Sequence, residues 1–280
     1  MGERTATAFW ELPHRIRTSG GEVAANVIGD GPPVVLVHGS PASSFLWRNV
    51  AEILASTHTV HVWDLLGYGE SRPADGVAPS IDRQARTLAE LVDHWGLEAP
   101  ALVGHDIGGA TVLRAHLIHE VPADRLALLD AAVLGYWLTP FTEHMQRHAD
   151  VYRTMPTNVF ADIIGPRLRT ATHRPMPPDV LDAYLAPWAG QDGQQRWIDQ
   201  VVAVTVDDTR EVEAGLGRIS VPTLVLWGEH DTWLEPATGE RLAAAIDGAR
   251  HALIPDAGHF LPEDNPRDTA EALARHLAPS

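Results

Sequence analysis

Short apolar runs alternate along the chain with longer segments that carry apolar residues at helical spacing. Residues 34–37 and 99–103 are continuous apolar runs, which is typical of strands buried on both faces of a sheet. Residues 80–95 have helical spacing, with Ser80 as the N-cap and Gly96 just past the end. Strand-like runs recur at 59–64, 125–130, 223–227 and 252–254. This alternation predicts βαβ units, and therefore a parallel sheet covered by helices on both faces.

Two stretches depart from the alternation. Residues 9–18 and 22–28 flank Ser19-Gly20-Gly21 and predict an antiparallel hairpin at the sheet edge. From Tyr136 to about Gly217 the pattern is helical and broken by prolines, which predicts an inserted helical cap. The expected organisation is an α/β core of residues 1–135 and 217–280, with a helical cap of residues 136–216.

Composition narrows the functional classes. The 280 residues are 45% hydrophobic and 21% charged, as in ordinary globular proteins. The formal net charge of −16 argues against nucleic acid as a partner, since phosphates would be repelled. The absence of cysteine excludes disulfides, thiolate metal sites and a cysteine nucleophile. With no apolar run long enough for a membrane span and no secretory leader pattern, we expect a cytoplasmic protein without a membrane partner, as a monomer or homodimer.

The strongest motif is Gly104-His105-Asp106-Ile107-Gly108-Gly109, between a strand-like run and a helix-like run. Glycines on both sides of a strained residue are typical of a turn that presents a nucleophile above the strand ends. Asp106 is ionised at neutral pH because its reference pKa is about 3.9. A carboxylate can displace a leaving group from a saturated carbon, and water must then hydrolyse the resulting ester. The alternative reading is an aspartate that caps the following helix.

Two partners follow later strands. His259 comes after the last strand-like run and Asp231 after the one before it, so the order is nucleophile, acid, base. Asp130, at the end of the strand that follows Asp106, is the competing acid. The backbone N–H groups of Ser40 and Ile107 are candidates for an oxyanion hole, and a cis Ser40–Pro41 bond would aim the first of them.

No metal or other cofactor is expected. His144 and His148 stand four residues apart, as metal ligands on a helix can, but no third ligand accompanies them. The chemistry predicted for Asp106, Asp231 and His259 proceeds without a metal.

Taken together, these motifs resemble the aspartate-nucleophile branch of the α/β-hydrolase superfamily over about residues 20–135 and 217–278. The branch contains epoxide hydrolases, haloalkane dehalogenases and fluoroacetate-type dehalogenases. Haloalkane dehalogenases usually have Trp after the nucleophile, and many have Asn after His-Gly; here Ile107 and Ser40 stand at these positions. Fluoroacetate dehalogenases bind the substrate carboxylate with arginines near the nucleophile. Because Ile107 and Ala110 stand there instead, the resemblance argues against a small anionic acid as substrate.

The patterns H-G-x-P and G-H-D-x-G resemble epoxide hydrolases best, so the favoured hypothesis is an epoxide hydrolase for a small hydrophobic substrate. Such enzymes protonate the leaving oxygen with cap tyrosines, and Trp N–H groups are alternative donors. The alternatives are a haloalkane-type dehalogenase that uses the same Asp106 and an idle member that only binds an apolar ligand. The candidate substrate-binding residues are His38, Trp47, Tyr136, Trp137, Tyr152, Tyr184 and Trp188, with Trp197 as a further N–H donor or lining residue.

Overall fold

The computed structural model describes residues 10–278, and the strands in this part of the chain form one sheet. Its order is β1-β2-β4-β3-β6-β7-β8-β9, with β5 paired to β2. The strands are β1 (His14–Thr18), β2 (Gly21–Ile28), β3 (Pro33–Val37), β4 (Thr59–Trp63), β5 (Arg72–Pro73), β6 (Ala101–His105), β7 (Leu126–Leu129), β8 (Thr223–Gly228) and β9 (Arg250–Ile254).

Most of the sheet is parallel, which confirms the predicted α/β class. Strands β4, β3, β6, β7, β8 and β9 pair in parallel, whereas β2 is antiparallel to each of its partners β1, β4 and β5. The predicted hairpin is β1–β2; the start expected at Phe9 lies outside the described residues. In the register, Val37 is opposite Gly104, and Leu129 pairs with both His105 and Leu226. The loops that follow these strands therefore meet at one edge of the sheet.

Helices cover both faces of the sheet because successive strand residues point to opposite sides. Val35 and Leu102 pack in one buried apolar cluster with α2 and α3, whereas Leu36 and Val103 pack in another with α1 and α12. The core helices are α1 (Arg48–Leu54), α2 (Ile81–His94), α3 (Ile107–Leu117), α10 (Ala237–Ala244), α11 (Leu261–Asp264) and α12 (Pro266–Leu277).

Six helices of the described chain lie between β7 and β8. They are α4 (Pro140–Arg147), α5 (Ala149–Thr154), α6 (Thr157–Arg169), α7 (Pro178–Leu185), α8 (Gly190–Ala203) and α9 (Asp207–Gly215). Prolines begin two of them, where a missing N–H costs no hydrogen bond, and Pro166 lies inside α6. These helices fall within the interval predicted for the cap. Within residues 10–278, none of the helices has the length and apolar character needed to cross a membrane.

Candidate active site

The turn between β6 and α3 holds Asp106 in a strained backbone conformation. Its φ is 54° and its ψ is −124°, outside the regions that L-residues usually occupy. The chain can turn this tightly because Gly104 and Gly108, two residues before and two residues after Asp106, have no Cβ. A Cβ on Gly104 would lie 2.4 Å from the carbonyl oxygen of Gly108, and one on Gly108 would lie 2.4 Å from that of His38. The carboxylate is therefore held at a fixed place above the strand ends.

Backbone N–H groups bind the Asp106 carboxylate from the side of β3. The N–H of Ser40 donates to Oδ1 at 2.8 Å, and the N–H of Ile107 also hydrogen-bonds the carboxylate. The Ser40–Pro41 peptide bond is cis. These are the two N–H groups that the sequence indicates for an oxyanion hole. Both of them are directed at the Asp106 carboxylate.

The His259 imidazole lies between two carboxylates. Its Nδ1 donates to Oδ2 of Asp231 at 2.8 Å, and its Nε2 lies 3.5 Å from Oδ2 of Asp106. Asp231 is fixed in turn, because its Oδ1 accepts the backbone N–H groups of Trp233 at 2.7 Å and Leu234 at 3.0 Å. Nε2 has no hydrogen-bond partner within residues 10–278, so it is the ring nitrogen available to a reactant.

Charge and burial shift the pKa values of His259 and Asp106 in opposite directions. Burial disfavours the imidazolium, but the charge of Asp231, the nearby Asp106 carboxylate and the hydrogen bond to Asp231 raise the pKa of His259 to about 10. Burial also disfavours the Asp106 carboxylate, yet His259 holds the pKa of that group below its ordinary value. The resting site is therefore an imidazolium between two carboxylates.

Asp130, the competing acid, lies near Asp231 but does not hydrogen-bond the His259 ring. Its Oδ1 accepts the N–H of Gly228 at 2.9 Å, and no described residue hydrogen-bonds its Oδ2 by distance and angle. Burial and the charge of Asp231 raise its pKa well above the ordinary value, so the charged form of Asp130 is disfavoured. The hydrogen bond to the His259 ring comes from Asp231.

His105 is a further buried histidine that the sequence analysis did not assign. Its Nε2 donates to the carbonyl oxygen of His259 at 2.8 Å, and the two rings are 4.9 Å apart. Burial, and then the charge of His259, lower the pKa of His105 to about 4, so it is a neutral donor. Its place directly before the nucleophile is the only sequence signal for this role, which is to fix the loop that carries His259.

A cavity of about 70 Å³ opens onto Asp106 and His259. Its apolar side chains come mainly from α4, α8 and the chain before α4. The lining residues are Ser40, Pro41, Asp106, Ile107, Trp137, Leu138, Thr139, Phe141, Thr142, Met145, Arg167, Trp197, Val201, Val204, Trp233, Leu234 and His259. A site of this size and character suits a small, mostly apolar molecule.

None of the four tyrosines of the chain lines this cavity. Tyr136 is 62% exposed and its hydroxyl donates to Glu143. Tyr184 is buried and its hydroxyl donates to Glu263 at 2.8 Å. Tyr152 is buried in the cap, and Tyr68 is fully buried near Ser40 and Asp106, where burial raises its pKa well above the ordinary value. The geometry therefore does not support Tyr136, Tyr152 or Tyr184 as substrate-binding residues.

Three other predicted substrate contacts support the loops instead. The N–H of Leu65 donates to Nε2 of His38 at 2.9 Å. The indole N–H of Trp188 donates to the carbonyl oxygen of Pro41 at 3.1 Å, and Trp47 is fully buried against His105. These side chains stabilise the turns that hold Ser40 and Asp106, but none of them lines the cavity.

The cavity does contain Trp137 and Trp197. The indole N–H of Trp137 donates to Oγ1 of Thr209 at 2.9 Å, so it is engaged. The indole N–H of Trp197 is buried and has no hydrogen-bond partner in residues 10–278. Trp197 is thus the indole donor that remains for a ligand.

Sequence reasoning missed Trp233 and Arg167. The Trp233 ring stacks on the His259 ring at 4.9 Å, and its position two residues after Asp231 could have drawn attention to it. Arg167 has no local signal, because nothing in the pattern of α6 shows which face meets the cavity. His144 and His148 have rings 4.6 Å apart, but they belong to neither group of three or more potential metal ligands in the described residues.

Comparisons with known proteins agree with this fold. A family model described as "alpha/beta hydrolase fold" matches residues 32–266. Haloalkane dehalogenase 2 of Mycobacterium tuberculosis is 31% identical over 261 residues, which cover 88% of this chain and 87% of the relative. Epoxide hydrolase A of the same organism is 29% identical over 291 residues, which cover 88% and 90%.

A solved structure is similar over nearly its whole length. An alpha/beta hydrolase fold protein from Burkholderia ambifaria has a TM-score of 0.91 and 33% identity, covering 95% of this chain and 98% of that one. Fold, family model and relatives agree. The chain therefore belongs to the α/β-hydrolase fold family, in the branch that includes haloalkane dehalogenases and epoxide hydrolases.

Proposed function

We propose that the protein hydrolyses a bond between a saturated carbon and its leaving group through an alkyl ester on Asp106. The observation that carries this proposal is the arrangement around that carboxylate. Oδ1 is held by the N–H of Ser40 at 2.8 Å, and Oδ2 lies 3.5 Å from Nε2 of His259. One oxygen is thus anchored and the other faces the base and the cavity, as an attacking group must.

In the first step Oδ2 of Asp106 attacks the carbon from the side opposite the leaving group. A carbon–oxygen bond forms, and the bonding pair departs with the leaving group. The carboxylate becomes a neutral ester. His259 then loses the nearby negative charge of Asp106, which raises its pKa. Its pKa falls, the ring releases its proton to solvent, and a base is generated only after the ester has formed.

In the second step neutral His259 takes a proton from a water molecule, and the hydroxide attacks Cγ of Asp106. The negative charge develops on Oδ1, where the N–H groups of Ser40 and Ile107 already point. Collapse of this intermediate expels the product alkoxide, which takes the proton back from His259, and leaves Asp106 as a carboxylic acid. The proton of this acid then passes to His259, so the carboxylate and the imidazolium of the resting site are both restored.

The sequence and the cavity favour different leaving groups. An epoxide oxygen leaves as an alkoxide and needs an acidic O–H donor, whereas a halide is a weak base and needs only hydrogen bonds. No tyrosine lines the cavity, and its unengaged indole donor is Trp197. We therefore infer a halide as the leaving group, and we place the epoxide reaction favoured by the sequence second.

The epoxide reaction stays as the second candidate because of Ile107. Haloalkane dehalogenases usually have a halide-binding Trp at that position, and this chain has an isoleucine there. The two candidates share the ester on Asp106 and the role of His259, so one experiment separates them.

The test is the intact mass of a His259→Ala variant after incubation with a bromoalkane and with the epoxide of the same carbon skeleton. Without the base, the ester should accumulate. Addition of the alkyl group with one equivalent of bromide released would establish the dehalogenase, and addition of the whole epoxide mass would establish the epoxide hydrolase. The double variant Asp106→Asn, His259→Ala is the matched control and should stay unmodified. A folded His259→Ala protein that gains no mass from either compound would overturn the covalent mechanism.

A further inference from the structure

Arg167 brings a positive charge to the wall of an otherwise apolar cavity. It lies on α6, two residues before the end of that helix, and lines the same cavity as Asp106 and His259. Its guanidinium carbon is 3.8 Å from the centre of the Trp233 ring and 5.7 Å from that of Phe141. Aromatic faces attract a guanidinium, and they hold it without supplying a negative charge.

No carboxylate within residues 10–278 forms an ion pair with Arg167. Its hydrogen bond in this part of the chain is a long one, 3.4 Å from Nη1 to Oγ1 of Thr170. Arg48 provides the contrast, since it is also largely buried but binds Glu263 through two hydrogen bonds of 2.6 and 2.7 Å. Buried guanidinium groups in proteins are normally paired in this second way.

The guanidinium is nevertheless charged at neutral pH. Partial burial lowers the pKa of Arg167 to about 10, and the charge of Asp231 opposes that shift. Asp231 is not free to serve as the partner, because its two oxygens are bound by His259 and by the N–H groups of Trp233 and Leu234. A cation with one weak acceptor therefore faces the cavity.

We propose that Arg167 binds a carboxylate carried by the substrate, so that the substrate is a halogenated (or, for the second candidate, epoxidised) carboxylic acid with an apolar segment between its two ends. This inference rests on the proposed function for the reacting end and on Arg167 for the other end. The planar guanidinium fork matches a carboxylate. The Trp233 ring contacts both the guanidinium and the His259 ring, and Arg167 lines the same cavity as Asp106 and His259.

The carboxylate would approach from the cap and not from the nucleophile turn. The sequence argued against an anionic substrate because Ile107 and Ala110 replace arginines near the nucleophile. Arg167 supplies the cation from another element of the fold. The formal net charge of −16 repels anions, so recognition of an anion depends strongly on this one local cation.

The first test measures binding without chemistry. In an Asp106→Asn background, titration calorimetry with 4-phenylbutyrate and with neutral 4-phenylbutan-1-ol compares a carboxylate with an uncharged analogue of similar shape. We expect Arg167→Gln to weaken phenylbutyrate binding about 10- to 100-fold and to leave the alcohol unaffected, as for one charged hydrogen-bonded pair. Arg169→Gln, an exposed change on the same helix, is the control and should alter neither. Absence of phenylbutyrate binding to the Asp106→Asn protein would overturn the proposal.

The second test uses turnover of 6-bromohexanoate and 6-bromohexanamide. Arg167→Gln should raise KM for the acid about 10-fold or more and raise KM for the amide by a much smaller factor. Arg167→Lys keeps the charge and should retain part of the preference for the acid, so it serves if the glutamine variant fails to fold. An equal fall of kcat for both compounds would overturn the proposal and make Arg167 a donor to the departing bromide.

The two proposals fail separately. The binding comparison does not depend on Asp106 as a nucleophile, whereas adduct formation with a neutral bromoalkane does not depend on Arg167. Carboxylate binding that Arg167 controls, together with no adduct, would therefore reject the proposed function and keep the anion subsite.

Discussion

The floor and the roof of the active-site cavity differ in how completely their polar groups are satisfied. The floor consists of Ser40, Asp106, Ile107, Asp231 and His259, which follow the carboxyl ends of the strands. The roof consists of the lining residues from 137 to 204. In the floor each carboxylate accepts at least two N–H groups. In the roof, Trp197 and Arg167 lack strong partners within the described residues.

This difference indicates that the floor serves the chemical steps and that the roof serves substrate recognition. Groups that are bound by the protein itself are held in place before a substrate arrives, which is what stabilising a transition state requires. Groups left unbound over an apolar surface are costly until a ligand satisfies them, so they favour ligands with matching acceptors. We expect changes in the floor to act mainly on rate and changes in the roof mainly on which substrate is accepted.

The largest effect is expected in the floor, from Asp106→Asn. The amide keeps the shape and an acceptor for the N–H of Ser40, but it is a poor nucleophile. Turnover should fall by about 10⁴-fold or more. Steady-state product release measures this, and an unchanged unfolding temperature shows that the fold is intact. Activity within tenfold of the parent would mean that Asp106 is not the nucleophile.

A matched pair of changes separates Asp231 of the floor from Asp130, the buried acid beside it. Asp231→Asn should reduce turnover about 10²- to 10⁴-fold, because the hydrogen bond that orients and charges His259 is lost. Asp130→Asn should change turnover by less than about fivefold, since Asp130 binds the N–H of Gly228, which an amide oxygen can also accept, and not the His259 ring. The reverse order of effects in kcat would assign Asp130 as the acid.

Trp197→Phe tests whether the roof supplies a hydrogen bond to the leaving group. It removes the free indole N–H and keeps an aromatic ring against Trp188. Loss of one hydrogen bond should lower kcat about 3- to 10-fold, more for chlorides than for iodides. Trp137→Phe lines the same cavity, but its N–H is bound to Thr209, so it is the control. Equal dependence on the halogen in both variants would remove Trp197 from the leaving-group site.

The smallest effect concerns stability against pH. The folded pKa of His259, about 10, lies above the ordinary 6.5, so its contribution is complete below pH 6.5 and is lost as pH rises toward 10. The chain contains no lysine, so no side-chain ammonium group titrates in this interval. Urea unfolding between pH 7 and 10 should show a falling free energy, and a shallower fall for Asp106→Asn. The same slope in both proteins would show that Asp106 does not raise the pKa of His259.

Most of the fold was accessible from local patterns. The run at residues 34–37 and the run before Asp106 are buried strands, as their uninterrupted apolar character predicts. The order of Asp106, Asp231 and His259 along the strand ends was enough to propose that they meet, because parallel strands end at one edge. Element bounds were less accessible: the last strand begins at Arg250, two residues before its apolar run.

The sequence by itself determined where the chain turns from strand to helix, and hence which residues stand at the edge of the sheet. Only the tertiary structure decided which cap side chains face the cavity. Tyr136, Tyr152 and Tyr184 were reasonable donors by residue type, yet they face solvent or pack elsewhere, while Trp197 and Arg167 line the cavity. The physical reason is that strand ends are placed by backbone hydrogen bonds of fixed register. The direction of a helix face depends instead on how six short helices pack together, and residue type alone does not encode that packing.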